Sequence, residues 1–473
     1  MTASARFARF ATRVRLADVP RDTVRRAGLH LLDTLGAALA GSASVEAGLA
    51  RRAARAEGGL GTGPAAIWGT AGRARPQTAA FVNGVAAHAF ELDDSGGCDH
   101  SGAVVVPAAL AAVAVAGRPV TGAELTLAVL LGYELGRRVQ TALGGYDAVN
   151  ERGWHSTGVC GTFAAAAAAG RVLGLDAEAL TWAIGLAGSF TGGTWAFVDD
   201  SAMSKRLHVG RAAECGLHAA LLAREGFTGP AAVFEAGWGG VLGLYAGPGV
   251  ADPAAISGGL GEHWQLDRSS IKPYASCRST HSTIDAVLRL REQGLRAERV
   301  DALEVHASEL IVQMCGGADL SSLVSAQLSL PFAVAVAAVR GDVGLDDILA
   351  GRTDPGVLDL LDRVALHTDP GQHGGSAEPW LRVTGGGRSL TAQAVLARGA
   401  AENRLSAAQI RAKFDHLAAH RLPGEARRRL IAGLDRLGEC PDVAPLIGLL
   451  AATDEPRPLS WNSSTNTAAA IPA

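Results

Sequence analysis

Apolar residues recur at helical spacing along most of the chain. From Asp22 to Gly41, "DTVRRAGLHLLDTLGAALAG" places Val24, Gly28, Leu31, Leu32, Leu35 and Leu39 on one face and closes on glycine, which predicts a helix with one buried side. The same period predicts helices near 77–90, 107–117, 122–143, 158–173, 177–188 and 207–225, with no alternating strand pattern among them. A stretch rich in Gly, Pro and Ala, 247–262, reads as a connection. Beyond it the texture changes. "RVDALEVHA" (299–307) alternates as a strand does, "SAQLSLPFAVAVAAVRG" (325–341) reads as a helix, and "WLRVTGGGRSLTAQAVL" (380–396) as two short strands around a glycine turn. Helical pattern returns over 405–452, while 455–473 has no period at all.

The fold class that follows is mainly α with a smaller α+β part. A helical unit opens the chain (1–267), an α+β unit is inserted (268–396), a helical return (397–454) packs back on the first unit, and a flexible tail ends it (455–473). No internal repeat is present.

Length, composition and charge sharpen this picture. The chain has 473 residues, more than one ordinary core usually supports. It is 48% apolar with only 5% aromatic residues, so close approach of alanine and glycine must supply much of its packing. A net charge of −3 without runs of like charge argues against a nucleic-acid surface. The longest apolar run, Ala103 to Gly117, is interrupted by Pro107 and is too short to span a bilayer. The N-terminal segment shows no unbroken apolar stretch of a secretory signal, so a cytoplasmic protein is expected. Six widely spaced cysteines without C-x-x-C suggest neither a disulfide framework nor a zinc ribbon.

The cations carry the first hint of chemistry. Of 43 Lys+Arg, only Lys205, Lys272 and Lys413 are lysine. Two of them fall in a set of four stretches that share one arrangement, polar and cationic residues at the start of a helix. In "ELDDSGGCDHSGAVVVPAALA", His100 lies ahead of a helix whose first turn should hold Pro107. In "RGWHSTGVCGTFAAAAAAG", His155 is followed by Ser156 and Thr157 as candidate N-caps. In "SAMSKRLHVGRAAECG", Lys205 and His208 share one side of a first turn, with Arg206 between them. In "IKPYASCRSTHSTIDAVLRLREQG", Lys272, Cys277, Arg278 and His281 precede a helix that Ser279 or Ser282 could cap.

Helix N-termini offer unpaired N–H groups and a partial positive charge, so with Lys, Arg and His beside them the shared target is an anion. The same field disfavours imidazolium and keeps a nearby histidine neutral for proton transfer. Lysine suits such a place because it is a compact charge of adjustable pKa, where arginine is a fixed planar fork. The acidic trio Glu91, Asp93 and Asp94 adds candidate bases. Together these predict metal-free, cofactor-free chemistry on a polycarboxylate: a proton is removed beside a carboxylate while fixed positive charge meets the negative charge that grows. His88 reads as structural, and Cys277 taken singly as a small buried hydrophobe. Competing motifs are weak: "GGLGTGPA" lacks the Lys-Ser/Thr of a phosphate loop, "CDH" with Asp93 and Asp94 is too crowded for a recognised zinc spacing, and no G-x-S-x-G occurs.

These stretches resemble the 2-methylcitrate dehydratase (MmgE/PrpD) family. "NGVAAHAFELDD" (83–94), "HSGAVVVPAALA" (100–111), "GWHSTGVCGTFAAAAAAGRVLGLD" (153–176), "MSKRLHVGRAAECGLHAALLAREGFTGP" (203–230), "IKPYASCRSTHSTIDA" (271–286) and "SAQLSLPFAVAVA" (325–337) run in family order. The resemblance implies a large helical domain built from both ends of the chain, an α+β lid between, a site at their junction and a homodimer. It also implies a small-molecule carboxylate substrate, since members include a metal-independent 2-methylcitrate dehydratase, a cis-aconitate decarboxylase and an iminodisuccinate epimerase. The family's site positions fall at Glu91, His100, His155, Lys205, Lys272 and Cys277. Three departures stand out: "ELDD" replaces D-F-D-D, Cys277 replaces the histidine of the decarboxylase branch, and "MCGGAD" (314–319) lacks that branch's tyrosine and arginine. The expectation is therefore a hydro-lyase first, an epimerase second and a decarboxylase third. His100, His155, Lys205, Glu91, Asp94 and Lys272 are its catalytic candidates, and Asp93, His208, Arg206, Cys277, Arg278 and His281 its substrate-binding ones.

Overall fold

The computed structural model describes residues 1–247, 249–375, 377–452, 454–456 and 459. Its centre is the helix Ser156–Leu173, whose residues Ala164–Ala169 are wholly buried. Alanine on every side lets other helices approach closely, and three do: Gly122–Ala142, Ser101–Val113 and Ser204–Arg224. The approach is tight enough to exclude a side chain at Gly216, where a Cβ would lie 2.5 Å from the Thr162 carbonyl oxygen. The helices Arg21–Gly41 and Pro76–His88 extend this core. From the far end of the chain, Ala407–Ala418 packs on Arg21–Gly41, and Leu430, Leu434, Leu437 and Val443 enter the same apolar cluster.

A second apolar cluster gathers most of its members from 274–394. Its sheet has four strands in the order Val364–Thr368, Ala302–Ala307, Trp380–Gly385, Arg388–Gln393. The Ala302–Ala307 strand runs parallel to the first and antiparallel to the third. Leu303, Val305, Leu381 and Val383 point into the core, where the helices His281–Glu292 and Leu330–Arg340 also pack. The alternation of 299–307 thus produces the strand it predicts, with every second residue buried.

The predicted helices are present, with corrections at their ends. The helix assigned near 107–117 begins at Ser101, so Pro107 lies in its interior and not in its first turn. The helix predicted over 325–341 is two, Leu323–Leu328 and Leu330–Arg340, because Ser329 turns extended and caps the second by accepting from the Phe332 N–H. Ser156 and Thr157 lie inside their helix with His155 at its N-cap, and Ser279 bonds the Gly375 carbonyl without capping anything. Thr280 stands at the N-cap of His281–Glu292, which places Ser282 inside that helix. The glycine-rich 58–65 region, which lacks the Lys-Ser/Thr of a phosphate loop, contributes Leu60–Ala66 to a small antiparallel pair with Arg73–Ala74. The expected tail lies outside the described residues except for 455, 456 and 459. No helix among the described residues is long and apolar enough to cross a membrane.

Candidate active site

The site grows from a short irregular segment, Glu91 to Asp94, just past the end of the helix Pro76–His88. Glu91 adopts a φ of 53°, a left-handed conformation that is uncommon for a residue with a Cβ and that its surroundings must hold in place. All three lysines of the chain converge there. Lys205 Nζ donates to Glu91 Oε1, and Lys272 Nζ donates to Oε2 at 3.0 Å. Lys413 Nζ donates to the Leu92 carbonyl and to Asp33 Oδ1, each at 2.6 Å. Arg206 points the same way, with Nη1 3.9 Å from Glu91 and Nη2 donating to Gln327 Oε1 at 2.8 Å. Burial alone would push the Glu91 carboxyl up, but Lys205 and Lys272 outweigh it and hold the group well below its usual 4.5. Glu91 is therefore a carboxylate that neutralises part of a dense cationic cluster.

Asp93 sits between two histidines, with His88 Nδ1 and His100 Nδ1 each 3.0 Å away and Lys272 at 3.9 Å. Burial opposes its charge, yet His88, His100 and Lys272 keep it ionised. The two imidazoles, 4.2 Å apart between centroids, respond in opposite senses. Burial pushes His88 down to about 3. His100 also feels burial, but Asp99, 3.5 Å from its Nε2, and Asp93 together raise it above 6.5. One histidine of the pair is neutral and the other favours the charged form.

Asp94 turns away from this cluster. It accepts from the Tyr133 hydroxyl and from the Gly102 N–H at 2.8 Å, with His30 Nδ1 at 3.1 Å, which pins the acidic segment to the start of the helix Ser101–Val113. Gly102 is required for that contact: a Cβ there would fall 2.2 Å from Thr34 Oγ1.

His155 is fully buried, and burial followed by Lys205 and His208 drives it well below 6.5. Its Nδ1 faces His208 Nδ1 at 3.2 Å, and its Nε2 has no hydrogen-bond partner among the described residues. One ring nitrogen each from His155 and His100 and an oxygen of Asp99 lie within 4.8 Å of one another. The Trp195 ring is edge-on to His155 at 5.4 Å and lies 5.9 Å from Lys205 Nζ.

A cavity of about 190 Å³ opens beside these groups, room for a small acid and not for a nucleotide. Of the nominated residues, Glu91, His100, Lys205, Cys277 and Arg278 form its wall. Asp93, His155 and Lys272 lie directly behind. Arg206 and His208 support that layer, while His281 is sealed away with its Nε2 at 3.2 Å from the Ser276 carbonyl oxygen. The Cys277 thiol is shifted down by the hydrogen bond from Cys315 and by Lys205, against burial. Arg278 is half-buried and lies 3.4 Å from Glu378. Sequence reasoning missed Asp99, Arg137, Gln140, Tyr146 and Trp195, which also line the cavity, and treated His88 as structural. For Arg137 a signal existed: Glu134 and Arg138 stand at the i,i+4 spacing of a helical ion pair, which leaves the neighbouring arginine without its obvious partner.

At the site, two of the three trios among the described residues with ligand atoms close enough for a metal ion are His88 with Asp93 and His100, and Asp99 with His100 and His155; the third, Asp346 with His416 and His420, is exposed and lies elsewhere. In the first, Asp93 already holds both histidines and Lys272, and a resident ammonium opposes a dication.

Comparison with family models matches the MmgE/PrpD N-terminal domain over residues 5–251 and the MmgE/PrpD C-terminal domain over 274–436. The chain is 34% identical over 300 residues to the cis-aconitate decarboxylase-like protein oryM of Aspergillus oryzae, a match covering 61% of each chain. It is 30% identical over 305 residues to a cis-aconitate decarboxylase of Aspergillus terreus, covering 61% of this chain and 60% of the relative. The Mus musculus cis-aconitate decarboxylase is 26% identical over 417 residues, 84% of each chain. The chain thus spans about three fifths of the length of the two fungal relatives.

Proposed function

The chain belongs to the MmgE/PrpD family, and from that premise we propose that it is a lyase acting on a hydroxylated di- or tricarboxylate, removing water by proton abstraction beside a carboxylate. The observation that carries this reading is the divergence of two histidines at one cavity: His155 held neutral, His100 held toward its charged form. Dehydration needs both a base and an acid, and environments that push two like groups apart are how a site provides them.

In this scheme His155 Nε2, buried directly behind the cavity wall and without a partner among the described residues, is the base that receives the proton from the carbon next to a carboxylate as substrate displaces the wall between them. The C–H electron pair builds an enolate-like species whose growing charge faces Lys205, an ammonium fixed in advance by Glu91. That pair then forms the carbon–carbon double bond as the bond to the hydroxyl breaks. His100 gives its proton to the departing oxygen, which leaves as water. Glu91, fixed between lysines, is a charge-balancing group in this scheme and not the base.

A second reading, decarboxylation of an unsaturated acid, is favoured by the names of the relatives. There His100 would protonate the alkene carbon while the bond to a carboxylate breaks, its pair forms the new double bond and carbon dioxide departs. Against it stand Cys277 and the stretch 314–319, which lacks the tyrosine and arginine expected of the decarboxylase branch.

Chelator-treated protein incubated with 2-methylcitrate, citrate, malate and cis-aconitate in deuterium oxide, followed by NMR, decides among these. Loss of water from a hydroxy acid without carbon dioxide is the expected result. Carbon dioxide from cis-aconitate would establish the second reading, and deuterium exchange with retention of oxygen would make the protein an epimerase.

A further inference from the structure

The cavity wall includes two polar side chains that the chemistry above does not use. Arg137 and Gln140 stand three residues apart on one face of the helix Gly122–Ala142, and both line the cavity. Arg137 makes no hydrogen bond or ion pair among the described residues, and its buried Nε has no partner. Gln140 is 6% exposed, and its Nε2 likewise has none. The contrast with the next residue is direct: Arg138 is bound by Glu134 at 2.6 Å and by the carbonyls of Ala255 and Gly259 at 3.0 and 3.2 Å. A protein that satisfies one of two adjacent arginines so fully leaves the other's donors bare only where something else accepts from them.

Two features narrow what that is. Of the charged groups that act on Arg137, Arg268 repels it and Glu402 attracts it without forming an ion pair, so the guanidinium has no paired counter-ion among the described residues. A planar fork beside a side-chain amide matches a carboxylate, which accepts along two parallel bonds.

We infer that Arg137 and Gln140 form a clamp for a second carboxylate of the substrate, remote from the reacting carbon, and so select di- and tricarboxylates over monocarboxylates. This rests on the carboxylate reading proposed above and assigns the specificity to named residues. The clamp holds the far end while Lys205 and His100 meet the near end.

Equilibrium binding tests it without turnover. Tricarballylate, a tricarboxylate with no hydroxyl to lose, is titrated calorimetrically beside succinate and acetate into the full chain and into Arg137→Met, Arg137→Lys and Gln140→Met. The expected result is a loss of about tenfold or more in tricarballylate affinity for Arg137→Met, with partial retention in Arg137→Lys and little change for acetate. Thermal melts without ligand add an independent readout: removing a half-buried cation that has no ion-pair partner should raise the melting temperature of Arg137→Met, whereas a structural arginine would lower it. Equal tricarballylate affinity in wild type and Arg137→Met overturns the clamp and leaves the proton-transfer site standing. A variant that melts lower and loses all three acids alike overturns it in favour of a structural role. A wild type that binds none of the acids overturns both the clamp and the carboxylate reading.

Discussion

At the Glu91 end of the cavity, Lys205, Lys272 and Arg206 crowd one carboxylate, and both lysines are paired to it before substrate arrives. Beside Arg137, a guanidinium and an amide line the same space with no acceptor for Arg137 Nε or Gln140 Nε2 among the described residues. The first arrangement suits chemistry, because dipoles and charges already in place need not reorganise as the reaction proceeds. The second suits recognition, because an unsatisfied donor gains most from a ligand that completes it. The difference teaches that the number of cations near a pocket is a poor guide to its affinity for anions; what counts is how many are already spent.

The largest effect should come from removing a charge at the paired end. Lys205→Met is expected to lower kcat about 10²–10³-fold on whichever acid is turned over, with Lys205→Arg failing to restore it because the guanidinium is bulkier and planar. Steady-state kinetics on both variants checks this, and an arginine variant within a few-fold of wild type would defeat the argument for a compact charge. Next in size, Glu91→Gln leaves two buried ammonium groups facing each other and should cost about 3–5 kcal/mol in urea unfolding. That is opposite in sign to Arg137→Met, and a loss below about 1 kcal/mol would mean the paired end is not held by its ion pairs.

The smallest effect per step is that of pH. His88 and His155 are pushed below their ordinary 6.5, His88 to about 3. In that window the unfolded chain binds protons that the folded chain does not, so stability falls as pH drops from 6.5. The slope is about 1.4 kcal/mol per pH unit for each fully shifted histidine. His100, shifted up, acts in the opposite sense and gives up its contribution as pH rises through its folded value. The paired end should therefore be most stable near neutrality, with denaturant unfolding measured from pH 5 to 8 as the check. A stability that keeps rising below pH 6 would contradict the neutral assignment of His88 and His155.

Much of this was legible in the sequence because helix period and helix-start chemistry are local signals. The four stretches that gather cations at helix starts do converge, and His100, Lys205, Glu91 and Cys277 meet around one cavity while His155 and Lys272 back it. What escaped was information that is not local. Val364–Thr368 is a half-exposed edge strand of five residues, recognisable only by its parallel partner Ala302–Ala307. Asp94 looked equivalent to Glu91 and Asp93, yet the chain twists at Glu91 so that Asp94 serves Tyr133 and Gly102. His88 was read as structural because a histidine on an apolar helix usually is, and only the fold shows it sharing Asp93 with His100. Arg137 sits in an ordinary amphipathic helix, and which arginine of a neighbouring pair faces a cavity depends on what the other one binds.

The 3.2 Å contact between the two Nδ1 atoms of His155 and His208 has room for a single hydrogen. For Nε2 of His155 to present a lone pair, that hydrogen must belong to His155, and His208 must receive it. Burial and Lys205 hold His208 down to about 4, so it stays unprotonated and able to do so. The tautomer that makes His155 a base is thus set from behind, by a ring that touches no substrate and whose own lone pair is its whole contribution.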